Sequence, residues 1–513
     1  MSQETELKLS LRPQDVRRLL SHPLLRQQTP ERQRLFNTYF DTPQLTLMGQ
    51  RIAVRERRIG RRTWLTVKTA GSTQGGLSRR GEWEGPTRPG EMDFVTLVDD
   101  THLAQTLSGV ARQLTPLFRT DFLRLSWQLE YAGAHIEVAL DRGHIAVGHG
   151  PDMPTDGLQQ KLLELELELK SGPVDALLDL AHTLALGPQG EMKRGLWLYP
   201  SARSKAERGL ALFLGQQPEP VKAGPVQLTD RLPPVEAFRT TALACLAHWQ
   251  ANVGPWLEGA ADQPVDPEFV HQARVALRRL RTGLRLFKPA LPPRFFNHWN
   301  ARWQLTARAL GEVRNWDVLA TEGWAGWLGP MADNPSLQPV HDWIQTQRQQ
   351  ANQRARSCLH EPAHALDLLA FSQAVLALPT AARPPHSKPL SRWALRRLQG
   401  HHRQLLIQTR KALGKGPKGR HALRIALKKL RYAQELLGDL LPERSQRDTA
   451  RLVKAQSLLG ELNDLSTAQA LLADCPLDAA ATVSTVIDAR LKTRLHRLRS
   501  LERALLRSRA PGA

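Results

Sequence analysis

The first strand-like run of the chain, Glu4-Thr5-Glu6-Leu7-Lys8, places a charged side chain at every second position. Side chains alternate across a β-strand, so Glu4, Glu6 and Lys8 share one face while Leu7 and Leu9 take the other. The alternation recurs. Arg51, Arg55 and Arg57 lie opposite Ile52 and Val54, Thr66 and Lys68 opposite Leu65 and Val67, and Arg80, Glu82 and Glu84 opposite Trp83. Glu137 and Asp141 lie opposite Ile136, Val138 and Leu140. Glu164, Glu166, Glu168 and Lys170 lie opposite Leu163, Leu165, Leu167 and Leu169. One such strand is an ordinary half-solvated strand. Several of them, dense in both charge signs, suit a barrel whose charged faces converge inside and whose apolar faces meet helices outside. Burying so many charges is costly unless they are paired or hold a ligand, so the pattern points to function.

The chain of 513 residues is too long for one core. Alternating runs at 2–11, 33–41, 50–58, 62–69, 79–85, 117–129, 133–141 and 160–170 predict eight antiparallel strands, closed as a barrel or stacked as a sandwich, with helical patterns near 13–21, 94–109 and 173–186. From 236 onward the pattern is helical almost throughout. The expected fold is therefore an α+β domain built on a closed eight-stranded antiparallel barrel, followed by an all-α domain. The expected boundaries are 1–205 for the first, a Pro-rich linker at 206–235, and 236–513 for the second, which a Pro-rich break divides into halves at about 236–378 and 391–513. No apolar run approaches the roughly 20 residues that span a bilayer, and the N-terminus enters charged strand pattern at once, so neither membrane insertion nor a leader is expected. Cys245, Cys358 and Cys475 form no metal-type pair, and a cytoplasmic location is expected.

A lumen with both charge signs fits a complex of metal and polyphosphate. Arg and Lys neutralise phosphate oxygens, and carboxylates hold hard divalent ions such as Mg²⁺ or Mn²⁺. The ordered set of E-x-E-x-K at the start, YFDT (39–42), R-x-R at 55 and 57, TVK, ELELELK and SKAERG (204–209) resembles the CYTH family of triphosphate tunnel metalloenzymes over about residues 1–205. The resemblance implies an eight-stranded tunnel that hydrolyses or rearranges triphosphates with divalent metal. It implies that Glu4, Glu6, Glu166 and Glu168 help to hold the metal, with Glu137 and Asp141 as further candidates and Glu82 and Glu84 as additional tunnel acids. It implies that Lys8, Arg55, Arg57 and Lys68 grip the triphosphate and, with Glu4 and Glu6, form the catalytic set. Arg80, Arg119, Arg124 and Lys193 are further candidate substrate ligands. Arg119 and Arg124 have opposite parity, so both face inward only if a bulge separates them.

The charge is uneven: residues 1–215 carry a net +3 and the remainder +19. That excess calls for a polyanionic partner of the helical half. His271-Gln-Ala-Arg274-Val-Ala-Leu-Arg278-Arg279-Leu-Arg281 lines up with His421-Ala-Leu-Arg424-Ile-Ala-Leu-Lys428-Lys429-Leu-Arg431, and LGEVRNWDV (310–318) lines up with LGELNDLS (459–466), so the helical half is expected to be a duplication. His271, Arg274, Arg278, Arg281 and Arg285 form one stripe beside an apolar stripe. Glu435 stands where the second copy would have the counterpart of Arg285.

The repeated H-x-x-R-[VI]-x-x-[RK]-[RK]-L-R resembles the CHAD domain over about residues 235–513. That resemblance implies a basic surface for inorganic polyphosphate, with Arg279 and Lys429 added to the candidate ligands, and polyphosphate granules as a candidate site of association. CYTH followed by CHAD is an architecture of bacterial inorganic triphosphatases. The expected function is metal-dependent cleavage of inorganic triphosphate to pyrophosphate and phosphate. The rivals are a polyphosphate-docking protein with little catalysis, and a tunnel enzyme for nucleoside or thiamine triphosphate, adenylate cyclase included. No zinc pattern or aromatic RNA-binding signature is present, so nucleic acid is the less favoured polyanion.

Overall fold

The structure, a computed structural model, describes residues 2–74, 76–147, 157–201, 203–259, 266–379, 389–412, 416–441 and 443–507. The chain forms two compact units. One comprises Met1–Glu219 with Leu359–Leu376, the other Pro220–Cys358 with Ala377–Ala513. Most of the Pro-rich break at 379–390 falls outside the described residues. No described helix is long and apolar enough to cross a membrane.

The first unit is built on strands β1 (Ser2–Ser10), β2 (Glu31–Asp41), β3 (Ala53–Ile59), β4 (Arg62–Lys68), β5 (Ser72–Gln74), β6 (Leu77–Thr87), β7 (Thr115–Tyr131), β8 (Ala134–Val147), β9 (Gln159–Ser171) and β10 (Tyr199–Pro200). The order β1-β9-β8-β7-β2-β3-β4-β6 closes through β6 pairing with β1, which makes an eight-stranded antiparallel barrel; β5 extends β6, and β10 extends β1. The barrel strands are those that the period-two runs predict. The hairpin between β7 and β8 turns on Ala132 and Gly133, both at positive φ, which matches the right-handed twist of the flanking strands.

The outward apolar faces pack under helices. Leu7, Leu9, Ile136, Val138, Leu140, Leu165 and Leu167 form one cluster with Leu177, Leu180 and Leu184 of the helix Asp175–Leu186. Leu366 and Leu369 of the helix Pro362–Leu376 join the same cluster. This segment is far along the chain, inside the stretch that reads as helical domain, yet its leucines belong to the barrel's core. Val54, Leu65, Val67 and Trp83 pack with Phe94, Ala104 and Leu107 in a second cluster.

The other unit is helical, and its elements repeat. The helix Pro267–Phe287, a 3₁₀ turn at Lys288–Ala290 and the helix Pro293–Val318 are matched by the helix Gly416–Leu436, a 3₁₀ turn at Gly438–Leu440 and the helix Glu443–Leu472. Trp299, Trp303, Trp316 and Trp324 are buried. The stretch read as linker is not featureless. It opens with the helix Lys205–Phe213, and Val226 and Leu228 are buried.

Candidate functional site

The barrel encloses a cavity of about 1020 Å³. Its wall combines Glu4, Glu82, Glu84, Glu137, Glu166 and Glu168 with Lys8, Arg55, Arg57, Lys68, Arg80 and Arg124. These residues come from different strands and converge because the apolar positions between them are committed to the outer cores.

The charges interlock. In β1, the Glu4 carboxylate accepts from Lys68 Nζ at 2.9 and 3.0 Å and from Arg80 Nε at 2.7 Å. Glu6 accepts from Arg80 Nη2 at 2.6 Å and from Lys8 Nζ. Arg55 faces Glu82 at 3.6 Å and Glu84 at 3.4 Å; Arg57 faces Glu84 at 3.4 Å and donates to Asn37 Oδ1 at 3.0 Å. Glu84 also accepts from Thr66 Oγ1 at 2.6 Å. Arg124 donates to both oxygens of Asp141, at 2.7 and 2.6 Å, and to Glu166 at 2.7 Å. Lys170 bridges Glu137 and Glu168 at 3.3 and 2.7 Å.

Burial and pairing shift these groups in opposite directions. Burial would raise the Glu4 carboxyl, but Lys68, Arg80 and Lys8 outweigh it and hold it well below the usual carboxylate range. Glu84 is the more open of the two, and Arg57 and Arg55 outweigh its desolvation and bring it down to about 2. Burial pushes up Glu82 and Glu168, with neighbouring Glu4 adding to the push on each. Burial and Arg80 push the Lys68 ammonium down. The cavity therefore holds carboxylates poised at different affinities for a proton.

One wall of the site comes from a helix. Ser204 caps the helix Lys205–Phe213 through a reciprocal box with Glu207, which aims Lys205 inward. Lys205 Nζ lies 2.8 Å from Asp141 and 3.0 Å from Glu166, and donates to Glu164. Oxygens of Asp141, Glu164 and Glu166 lie within 4.8 Å of one another, as metal ligands would. Lys205 supplies the cation within that triad.

In the helical unit, Arg274 and Arg278 on one copy of the repeat meet Arg424 and Lys428 on the other. Burial, then the charges of Arg424 and Arg278, bring the Lys428 ammonium down to about 7. Burial and neighbouring Arg278 and Arg314 bring Arg274 down to about 10. The guanidinium groups of Arg278 and Arg431 lie 4.2 and 4.4 Å from the Tyr432 ring centroid. These cations lie close enough for each to lower its neighbour's hold on a proton, and the Asp464 carboxylate, which interacts with Arg424 and Lys428, offsets part of their charge.

Residues 2–194 match the CYTH domain family, and residues 240–473 match the CHAD domain family. The chain carries a CYTH domain and a CHAD domain. Over 214 residues it is 35% identical to the inorganic triphosphatase of Haemophilus influenzae, a match that covers 41% of this chain and 55% of that protein. The chain thus spans about half the length of that relative. Among solved structures, it is similar to a CHAD domain of the plant Ricinus communis, at 28% identity and a TM-score of 0.47, covering 57% of this chain and 98% of that one. It is also similar to a Hippeastrum protein described as a putative adenylyl cyclase with a dominant triphosphatase activity. There the identity is 18% and the TM-score 0.30, with 42% of this chain and 96% of that one covered.

Most residues singled out in the sequence reach the CYTH cavity or pair with groups that do. Arg119 does not. The register of β7 against β8 runs unbroken from Phe118 to Tyr131, and the register shift between β7 and β2 falls at Tyr39/Phe40, beyond Arg119. No bulge separates Arg119 from Arg124, so opposite parity sends Arg124 into the cavity and Arg119 to the outer face. Lys193 lies in the 3₁₀ turn Met192–Arg194, and its side chain is outside the described residues. Asp141 is 0% exposed, behind Arg124 and Lys205, and is not on the cavity wall.

In the CHAD helices, Arg279 is buried and turned away from the cluster. It donates to Gly224 O at 2.9 Å and lies 3.9 Å from Glu435. Glu435 also lies 3.6 Å from Arg431. His421 and Lys429 are exposed, whereas His271 is half-buried. Arg281 reaches Gln304, and burial lowers Arg285.

Period-two and helical patterns missed Lys205, Arg208 and Tyr39 as site residues, and Glu164, which alternation placed on the charged face, was not among the candidate ligands. Arg208 lies 3.3 Å from Glu164, and Tyr39 stacks on Phe118 at the cavity wall. Only the SKAERG segment hinted at Lys205.

Proposed function

We propose that the CYTH cavity hydrolyses inorganic triphosphate to pyrophosphate and phosphate with a divalent metal ion, and that the CHAD helices bind inorganic polyphosphate. The observation that carries the first part is one cavity walled by cations and carboxylates from several strands. The substrate is a compact, densely charged chain with no apolar part, and a wall of this kind suits it. The name of the Haemophilus influenzae relative supports the same substrate.

Lys8, Arg55, Arg57, Lys68, Arg80 and Arg124 would bind the phosphate oxygens and fix the chain for in-line attack by water. Glu4 on the cavity wall and Glu6, 3% exposed behind Arg80 and Lys8, offer hard oxygen donors, and no His or Cys lines the cavity among the described residues, so the donor set fits Mg²⁺ or Mn²⁺. Glu166, Glu168 and Glu137 stand as further candidate metal ligands. The ion would neutralise the phosphate and polarise the phosphorus–oxygen bond under attack. Glu82 and Glu168, whose carboxyls burial raises, are the acids best suited to take a proton from water.

Two substitutions separate inside from outside. Arg124→Ala should lower kcat/KM for triphosphate by about 10²-fold or more, as expected for a lost cationic contact to the reacting group. Arg119→Ala should leave it within about twofold. Equal effects would contradict the inward assignment. A kcat/KM for ATP at or above that for triphosphate would replace the proposed substrate with a nucleotide.

Lys428 makes polyphosphate binding pH-dependent. Its ammonium titrates at about 7 in the free protein, and a bound polyanion would raise that value. Affinity should therefore fall as pH rises above 7, and binding at pH 8 should take up a proton. Calorimetry in two buffers of different ionisation enthalpy reads this uptake, and Lys428→Arg should abolish it. As part of this proposal, polyphosphate would tether the protein to polyphosphate granules in the cytoplasm.

A further inference from the structure

Arg80 is the cavity cation that joins the two carboxylates of the first strand. It sits directly across from Glu4 in the β1–β6 pairing. Its one guanidinium spans both carboxylates of the first strand, Nε to Glu4 at 2.7 Å and Nη2 to Glu6 at 2.6 Å. Lys68 touches only Glu4 of this pair, and Lys8 only Glu6. The Arg80 side chain lies on the cavity wall and is 15% exposed, so an entering anion reaches it. The planar fork that now pairs with two carboxylates is equally suited to two phosphate oxygens.

We infer that Arg80 is an exchangeable gate on the Glu4–Glu6 carboxylates: it closes them to divalent cations until a triphosphate draws its guanidinium away. The inference rests on the reading that the cavity takes triphosphate. In the free protein, a divalent ion must compete with a paired guanidinium for the same oxygens, so it binds weakly. When phosphate oxygens take the guanidinium, those lone pairs are released and the ion binds more tightly. Linkage makes the effect mutual, so metal strengthens triphosphate binding by the same factor. When the guanidinium leaves, Lys68 stays on Glu4 and Lys8 on Glu6, so neither carboxylate is left without a counter-ion as the metal enters.

The test measures Mn²⁺ binding to the full chain by electron paramagnetic resonance of the free ion. It is done with and without a triphosphate whose bridging oxygens are replaced by methylene groups, corrected for that analogue's own Mn²⁺ complex in solution. In the wild type, the analogue should tighten Mn²⁺ binding by about tenfold or more, within the usual range of coupling between sites. Arg80→Gln should tighten Mn²⁺ binding in the absence of the analogue and lower the coupling factor, leaving only the part due to direct contact between the ion and the phosphate oxygens. Arg80→Lys, which cannot span both carboxylates, should fall between. A wild-type coupling factor of one overturns the gate, as does an Arg80→Gln protein that binds Mn²⁺ no more tightly than wild type. If Arg80→Gln does not fold, Arg80→Lys supplies the comparison, and a coupling factor equal to that of wild type overturns the gate. Triphosphate hydrolysis is followed in parallel. Hydrolysis without coupling removes the gate and leaves the proposed activity, whereas coupling without hydrolysis keeps the gate and removes the activity.

Discussion

Replacing Glu4 with glutamine is expected to lower kcat/KM for inorganic triphosphate by about 10³-fold or more, close to 4 kcal/mol of transition-state stabilisation. Glutamine keeps the size of the side chain and can still accept from Lys68 and Arg80. What it removes is the negative charge that three cations hold in place. A carbonyl oxygen is a poorer ligand for Mg²⁺ or Mn²⁺ than a carboxylate, and the loss falls on chemistry more than on substrate contact, so kcat should drop more than KM rises. Stability should also respond. The Glu4 carboxyl is depressed in the folded state, so its contribution is present above the ordinary carboxylate range and is lost as pH falls through it. Glu4→Gln should therefore be less stable than wild type at pH 7 and converge with it in acid. Circular dichroism at the assay pH separates this from the kinetic loss. A variant that stays folded and keeps its rate would remove Glu4 from the site.

The largest stability effect should come from Lys205→Met. Lys205 is 6% exposed and touches Asp141, Glu164 and Glu166, which are themselves 14% exposed or less. Removing the ammonium leaves three crowded carboxylates with only Arg124 and Arg208 at hydrogen-bonding range, at a cost of about 3–5 kcal/mol. The sign of the pH dependence follows from the shifts. The Lys205 ammonium is raised in the folded state, because the attraction of Asp141, Glu164 and Glu166 outweighs burial. Its contribution is thus fully present below the ordinary lysine range and lost only as pH climbs through its raised value. In the variant, the three carboxyls lose their ammonium and rise, so protonation relieves them. The deficit should be greatest near pH 7–8 and shrink toward pH 5, as urea unfolding monitored at several pH values would show. A constant deficit across that range would mean that methionine merely packs badly.

The barrel was legible because one face of each strand is apolar and the other charged, which sets strand position and parity together. That parity carried Glu4, Arg57, Lys68 and Glu166 to the cavity. It also carried the warning over Arg119 and Arg124, since one residue of register decides which way every side chain points. Lys205 was not legible by the same route. It follows β9 by more than thirty residues and sits on a helix, where no alternation marks an inward position. The repeat in the CHAD helices revealed the duplication and which cations share a stripe. It did not reveal that neighbours Arg278 and Arg279 serve opposite ends, one facing Tyr432 and the other capping a carbonyl at Gly224. About 100° of helix separates them. Nor could helical periodicity tell which core the helix Pro362–Leu376 joins. An amphipathic pattern says that Leu366 and Leu369 are buried, without saying against what.

The most direct measurement is phosphorus NMR of tripolyphosphate incubated with the full chain, with Mg²⁺ or Mn²⁺ and with a chelator in their place. A charged barrel cavity that works on triphosphate with metal predicts orthophosphate and pyrophosphate in equal amounts, at a rate that depends on the ion and is lost in Glu4→Gln. Tripolyphosphate left intact in the presence of both metals, by a protein that is folded and still binds polyphosphate, would contradict it.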